Sequence, residues 1–236
     1  VKRIGMDPES LGNAAIERSI RQCMKAADVT DATAYYRLIQ GSEDRFDELV
    51  ESVVVGETWF FRQPESFACL ADRARTGVTV RTQEEPMRVL SIGCSTGEEP
   101  YSIAMALMDA GLKAVCFTID ASDISSRALA VAQRGRYRPR AFQGDSPGFR
   151  DKWFTLQGDE YALDPRIMNT VNFSRSNALS EHFVPGGVKY DAVFCRHVLI
   201  YLTTDARNRL IKSLSGLLAP SGILFVGSSE MIEIRR

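Results

Sequence analysis

From Arg88 onward, short unbroken apolar runs alternate with amphipathic stretches: RVLSIG, PYSIAMALMDAG, AVCFTIDASDI and SSRALAVAQRG follow one another. Apolar runs of that length suit strands buried on both faces, as in a parallel sheet built from strand-helix-strand units and covered by helices on each side. YDAVFCRHVLIYL and GILFVGSSE supply two more strands, with the helix DARNRLIKSLSGLLA between them. No other feature narrows the fold as far. The alternation breaks at about residues 140–172, where KWFTLQGDEYALDP reads as a hairpin around Gly158, and TVNF then resumes the main sheet. With little chain after Glu230, a final strand pair is expected outside this sequence.

Before that region the periodicity is helical and strand-like runs are missing. In SLGNAAIERSIRQCMKAADV, the side chains of Ile16, Ile20, Cys23 and Met24 fall on one stripe, with Ser10 or Asn13 as the N-cap. DATAYYRLIQ and DRFDELVESVVV read as two further helices, each opened by an acidic residue that suits the positive end of the helix dipole. Residues 1–75 are thus expected to form a small all-α domain. The polar stretch RTGVTVRTQEEPM, with Gly77 and Pro86, places a linker at 76–87 and leaves 88–236 as the α/β domain.

Composition excludes several functions. The chain has 236 residues and a formal net charge of -1, which gives no support to a nucleic-acid binder working by phosphate neutralisation. No apolar run approaches the roughly 20 residues that span a bilayer, and VKRIGMDPES lacks the apolar core of a signal peptide. A chain that begins without Met reads as an excised, soluble piece. Its five cysteines form no CxxC pair and its two histidines are His182 and His197, so no metal site is expected and a reducing cytoplasm fits.

The ligand of an open parallel sheet sits beyond the carboxyl ends of its strands, next to the turn after the first one. GCSTGEE lies there. Gly93 and Gly97 permit a sharp turn and close approach. Ser95 occupies the place where a dinucleotide-binding turn needs its second glycine, and no P-loop pattern is present. An acidic turn suits S-adenosylmethionine, which carries a sulfonium and an ammonium but no phosphate. Glu98 and Glu99 then have a cationic partner, although the same pair would also complement a helix dipole. After the second strand, DASDIS offers Asp120 and Asp123, either of which can accept from two ribose hydroxyls.

SIGCSTGEEPYSIAM, ETWFFR, SDIS, YDAVFCRHVLIYL and GILFVGSSE, taken together and in order, resemble the CheR family of chemotaxis-receptor methyltransferases, and the likeness covers nearly the whole chain. It implies a Rossmann-like S-adenosylmethionine-dependent methyltransferase domain, a small N-terminal all-α domain and an inserted antiparallel β subdomain. Within the family the likeness is greatest to surface-sensing members that often carry a C-terminal repeat domain. The implied reaction transfers a methyl group from S-adenosyl-L-methionine to glutamate side chains on the cytoplasmic signalling domain of a methyl-accepting receptor, leaving S-adenosyl-L-homocysteine.

By the same resemblance, Thr58, Arg62, Gly93, Glu98, Asp123, Asn177, Ala178, Arg196 and His197 are expected to bind the cofactor. Arg62, Arg196 and Tyr201 are expected to orient the reacting groups, because a glutamate carboxylate is already ionised near neutral pH and needs no base. Tyr201 can equally be a residue packed at the sheet edge, and Trp59, Phe60 and Phe61 read as core. His197 stands where the family usually has Asn. Arg18, Arg21 and Lys25, at i, i+3 and i+7, share a helix face that can dock the receptor, or else form a solvated charged face. The short turn TLQGDEYAL, with Asp159 and Glu160, argues against tethering through a receptor pentapeptide. The rival readings are a same-fold methyltransferase with another substrate and a non-catalytic S-adenosylmethionine-binding regulator.

Overall fold

The structure, a computed structural model, describes residues 3–76, 82–143, 148–180, 183 and 188–231. Linker residues 77–81 and His182 lie outside the described residues. Five parallel strands form the central sheet: β1 (Met87–Ile92), β2 (Phe117–Asp123), β6 (Val171–Arg175), β7 (Tyr190–Cys195) and β8 (Leu218–Val226), in the order β6-β2-β1-β7-β8. Val89 pairs with Ile119 on one side and Ala192 on the other, so β1 is central.

Both faces of the sheet are covered, which explains the unbroken apolar runs. Val89, Ile119 and Phe194 pack in one cluster with Ile103 and Met105 of α6 (Glu98–Asp109). Leu90, Ile92, Val193 and Cys195 face a second cluster with Leu210 and Leu214 of α10 (Thr204–Leu217). Successive residues alternate faces as the pleat requires. The remaining crossover helix, α7 (Ser126–Arg134), is capped by Ser125 and stopped by Gly135 at φ 63°, a left-handed position that glycine adopts readily.

The N-terminal half contains α1 (Pro8–Leu11), α2 (Asn13–Ala26), α3 (Ala32–Gly41) and α4 (Glu43–Val53). Cys23, Tyr35 and Val50 are the buried residues of these four helices. Neither Ser10 nor Asn13 caps α2: Asn13 is already helical, and Asp7 caps the short α1 by accepting from the Glu9 amide at 3.2 Å. A fifth helix, α5 (Pro64–Thr76), places Phe67 and Leu70 in the same core as the sheet and α6. Residues 64–75, expected from the sequence to belong to the helical domain, therefore pack with the α/β layer.

The insertion is a three-stranded antiparallel sheet, β3 (Arg136–Tyr137), β5 (Glu160–Leu163) and β4 (Phe154–Gln157) in spatial order, with short helices α8 (Gly148–Trp153) and α9 (Pro165–Met168) beside it. Its first strand lies just ahead of the expected boundary at 140. Phe154, Tyr137 and Phe142 stack around Phe60 with ring centroids 5.0, 4.8 and 5.3 Å away, fixing the ETWFFR segment against the sheet domain.

Candidate functional site

The site grows from the turn after β1. Gly93 (φ 68°) reverses the chain, and a Cβ there would sit 2.4 Å from Val198 Cγ2, so this position has no room for a side chain. The Gly93 and Cys94 amides donate to Ser122 O at 2.9 and 3.1 Å, tying the turn to the end of β2. Asp123 completes the join: its Oδ2 accepts from Ser95 N at 2.8 Å and its Oδ1 from Ser125 N at 2.9 Å. One carboxylate thus fixes both loops at the carboxyl edge of the sheet, and each of its oxygens retains a second lone pair.

These loops border two adjoining chambers. The larger is lined by Asp123, Asn177, Ala178 and Tyr201, and its outer wall comes from the N-terminal half through Ile4, Met6 and Glu51. Thr58, Trp59, Arg62, Glu99 and Arg196 line the smaller. Gly93, Ser95 and His197 border both. The outer wall is held by a short antiparallel strap: Asp7 N donates to Tyr201 O at 2.8 Å and Thr203 N to Gly5 O at 2.9 Å.

The expected cofactor residues divide between the two spaces, with one exception. Glu98 lines neither chamber; its carboxylate turns back to accept from Thr96 Oγ1 at 2.6 Å. Glu99 takes the pocket-facing position, accepting from Ser91 Oγ at 2.8 Å and Arg196 Nη1 at 3.2 Å. Asp120 is also turned away, accepting from Tyr190 Oη and Asn172. Asn177 borders the larger chamber, but both ends of its amide are engaged, Nδ2 with Arg3 O and Oδ1 with Leu179 N. Tyr201 lies in the larger chamber, apart from Arg62 and Arg196. Phe60 and Phe61 join the core as expected. Trp59 does not: it borders the smaller chamber, with the Arg62 guanidinium 4.3 Å from its ring centroid. Arg18, Arg21 and Lys25 are exposed on α2 and border neither chamber.

Burial sets the electrostatics. It pushes the Asp123 carboxyl up, against the Ser125 and Ser95 amides, and pushes Glu99 up, against Arg196 and Ser91. Burial also lowers Arg196, with Glu99 opposing, and lowers His197 to about 4, helped by Arg62 and Arg196. His197 is therefore neutral near pH 7 and a poor base. The Cys94 and Cys195 thiols are pushed well up by burial, so neither is a thiolate nucleophile. The site lacks a strong base or nucleophile among these groups but holds two arginines beside an open space.

Sequence reasoning missed three contributors. Glu230, fully buried, accepts backbone N–H groups from His197, Leu199 and Gly227 at 2.9, 2.8 and 2.6 Å, and so shapes the loop that carries Arg196 to Tyr201. GSSE was the only signal for it, and nothing local says where its carboxylate points. Glu51 and the strap at Ile4 and Met6 reach the site from the other end of the chain, where no local pattern could announce them.

A cavity beyond the carboxyl ends of a parallel sheet, with a glycine turn after the first strand and an acid at the end of the second, defines an α/β protein that binds a nucleoside-type cofactor. The family described as "CheR methyltransferase, SAM binding domain" matches residues 56–236, and this chain belongs to that family. It is 42% identical over 228 residues to the probable biofilm formation methyltransferase WspC of Pseudomonas aeruginosa, covering 97% of this chain and 54% of the relative. It is 33% identical over 215 residues to the chemotaxis protein methyltransferase of Escherichia coli, covering 88% and 72% respectively. The chain spans about half the length of the WspC relatives that it matches.

The residues present fit S-adenosylmethionine. Asp123 keeps acceptor capacity for ribose hydroxyls, and His197 Nε2 is buried without a hydrogen-bond partner.

Proposed function

We propose that this chain methylates glutamate side chains on the cytoplasmic signalling domain of a methyl-accepting receptor, using S-adenosylmethionine. The carrying observation is the pair of arginines, Arg62 and Arg196, in a chamber that opens onto the Asp123-lined cavity. Bound S-adenosylmethionine would supply a sulfonium methyl whose C–S bond breaks as a glutamate oxygen bonds to its carbon, giving a γ-glutamyl methyl ester and S-adenosylhomocysteine.

The protein's task is positioning. A glutamate with a reference pKa of about 4.3 is already anionic, so no proton has to be removed. Orientation of reacting groups lowers a barrier by roughly 7–11 kcal/mol in favourable cases. Arg62, stacked on Trp59 and with Nη1 donating to Glu57 O at 2.8 Å, would give its remaining N–H groups to an incoming carboxylate. Arg196 is partly neutralised by Glu99, which moderates its hold on the nucleophile. Asp123 would take the ribose end, and Gly93 and Ser95 the junction between the chambers.

The exposed face of Arg18, Arg21 and Lys25 supplies a cationic docking surface for an acidic receptor bundle. Among the described residues no helix is long and apolar enough to cross a membrane, and the proposed partner places the reaction in the cytoplasm. The test is incubation with a receptor signalling domain and methyl-labelled S-adenosylmethionine. Base-labile label on receptor glutamates is expected. Base-stable label would instead indicate a different acceptor atom, and S-adenosylhomocysteine binding without any transfer would indicate a regulator.

A further inference from the structure

We infer that Glu51 is a latch that holds the N-terminal helices over the cofactor cavity, and is therefore a positioning residue for the cofactor. Glu51 lies in the last turn of α4, where a carboxylate opposes the helix dipole and gains nothing locally. Its partners are in the other half of the molecule. Oε1 accepts from Ser126 N at 2.6 Å, Ser126 Oγ at 2.8 Å and Arg127 N at 3.3 Å, while Oε2 accepts from Ser125 Oγ at 2.5 Å. These groups form the first turn of α7, whose free amides attract an anion. Burial alone would raise the Glu51 carboxyl, but the hydrogen bonds from Ser125 and Ser126 outweigh it and hold the group below its usual value.

The same contact encloses the cavity. Glu51, Val54 and Val55 border it from the α4 side, and Ser125 and Ala128 from the α7 side. Ser125 also gives its own amide to Asp123 Oδ1 at 2.9 Å, so the latch bears on the carboxylate assigned to the ribose. An ion pair also joins α4 to the sheet domain, Asp47 with Arg175 at 2.6 Å; it is partly exposed and contributes less. Opening α4 from α7 would remove one wall of the cavity. The apparent dissociation constant then rises in inverse proportion to the closed fraction. By reciprocity, bound cofactor must hold α4 down.

This rests on assignment of the cavity to S-adenosylmethionine, and the probes are S-adenosylhomocysteine and 5′-methylthioadenosine. Calorimetry on Glu51→Ala should show both weakened by about tenfold, the loss expected from one hydrogen bond to a charged group at the low end of its range. Amide hydrogen exchange supplies a readout that a merely structural role would not move. In the wild type, S-adenosylhomocysteine should slow exchange across α2 to α4, and in Glu51→Ala that slowing should largely vanish. Glu51→Gln keeps the side-chain volume and one acceptor, and should weaken binding by about threefold; it carries the test if the alanine variant does not fold. Wild-type affinity in a folded variant, or undiminished ligand-induced slowing, overturns the latch. Failure of the wild type to bind either probe overturns the cofactor assignment instead.

Discussion

Replacing Glu230 by Gln should damage the site although Glu230 itself borders neither chamber. Glu230 is fully buried, with Oε1 accepting from Leu199 and Ile200 at 2.8 and 3.3 Å and Oε2 from His197 and Gly227 at 2.9 and 2.6 Å. Glutamine keeps one acceptor oxygen and turns the other into an NH2 group that faces two N–H donors. Two charge-assisted bonds at about 1.5–3 kcal/mol each set an upper range of about 3–6 kcal/mol. Partial rotation of the amide brings the expected loss to the lower end, about 3 kcal/mol. For a chain of this size each kcal/mol shifts the melting temperature by about 2–4 °C, so a fall of about 6–12 °C is expected. The loop from Arg196 to Tyr201 loses its anchor at the same time, so S-adenosylhomocysteine should bind more weakly. Thermal unfolding followed by circular dichroism, paired with calorimetry, measures both. A melting point within about 2 °C of wild type, less than one kcal/mol, together with unchanged affinity, would refute the claim that this carboxylate organises the loop.

Four further outcomes are expected. Burial lowers His197 from its ordinary 6.5 to about 4, so its stabilising contribution is complete above about pH 6.5 and is lost as pH falls toward 4. His197→Asn should flatten that part of the stability profile, and parallel wild-type and variant profiles in chemical denaturation would contradict it. Glu98→Gln should leave S-adenosylhomocysteine affinity within about twofold, whereas Glu99→Gln leaves Arg196 buried without its carboxylate and should weaken binding; the reverse order in calorimetry would return Glu98 to the pocket. Charge reversal of Arg18, Arg21 and Lys25 together should raise KM for receptor with cofactor affinity unchanged, added salt should mimic it, and unaltered receptor kinetics would remove the docking face. A receptor-tail pentapeptide titrated into the protein should show no saturable binding, although Glu160 is already paired with Arg134 at 3.2 Å and only Asp159 is left to repel it; micromolar binding lost on altering Gly158 would show that the short turn permits tethering.

The central sheet was legible because β1 and β7, and largely β2, are buried on both faces and therefore appear as continuous apolar runs, while the edge strands β6 and β8 are more exposed. Helices α2, α3 and α4 were legible from apolar residues at helical spacing, and α3 and α4 also from an acidic residue at the start. Other elements left little to read. β3 is two residues long, too short for any periodicity, and its place is set by pairing Arg136 with Ala162 and Tyr137 with Tyr161. The helix α5 begins at a proline, and its sequence does not say that Phe67 will stack on Phe194 of the sheet at 5.9 Å rather than on the N-terminal helices. The strap is specified by tertiary fit: a Cβ on Gly5 would lie 2.3 Å from Leu179 Cδ1 and 2.6 Å from Ala206 Cβ.

The two glutamates of GCSTGEE show where sequence stops and phase begins. Adjacent helix positions point about 100° apart, so only one of Glu98 and Glu99 can face the carboxyl edge of β1. The strand decides which. Val89 lies toward α6 and Leu90 and Ile92 toward α10, so Ser91, between the latter two, lies toward α6. Its hydroxyl then meets Glu99, which in turn meets Arg196, the residue just after β7. Glu98, rotated away, finds Thr96 within its own turn. The pocket-facing acid is thereby tied to a buried arginine, and that pairing leaves the chamber less negative than two free carboxylates would make it. On the proposed function this pairing matters, because an uncompensated Glu99 would repel the glutamate carboxylate that the proposal brings to Arg62 and Arg196.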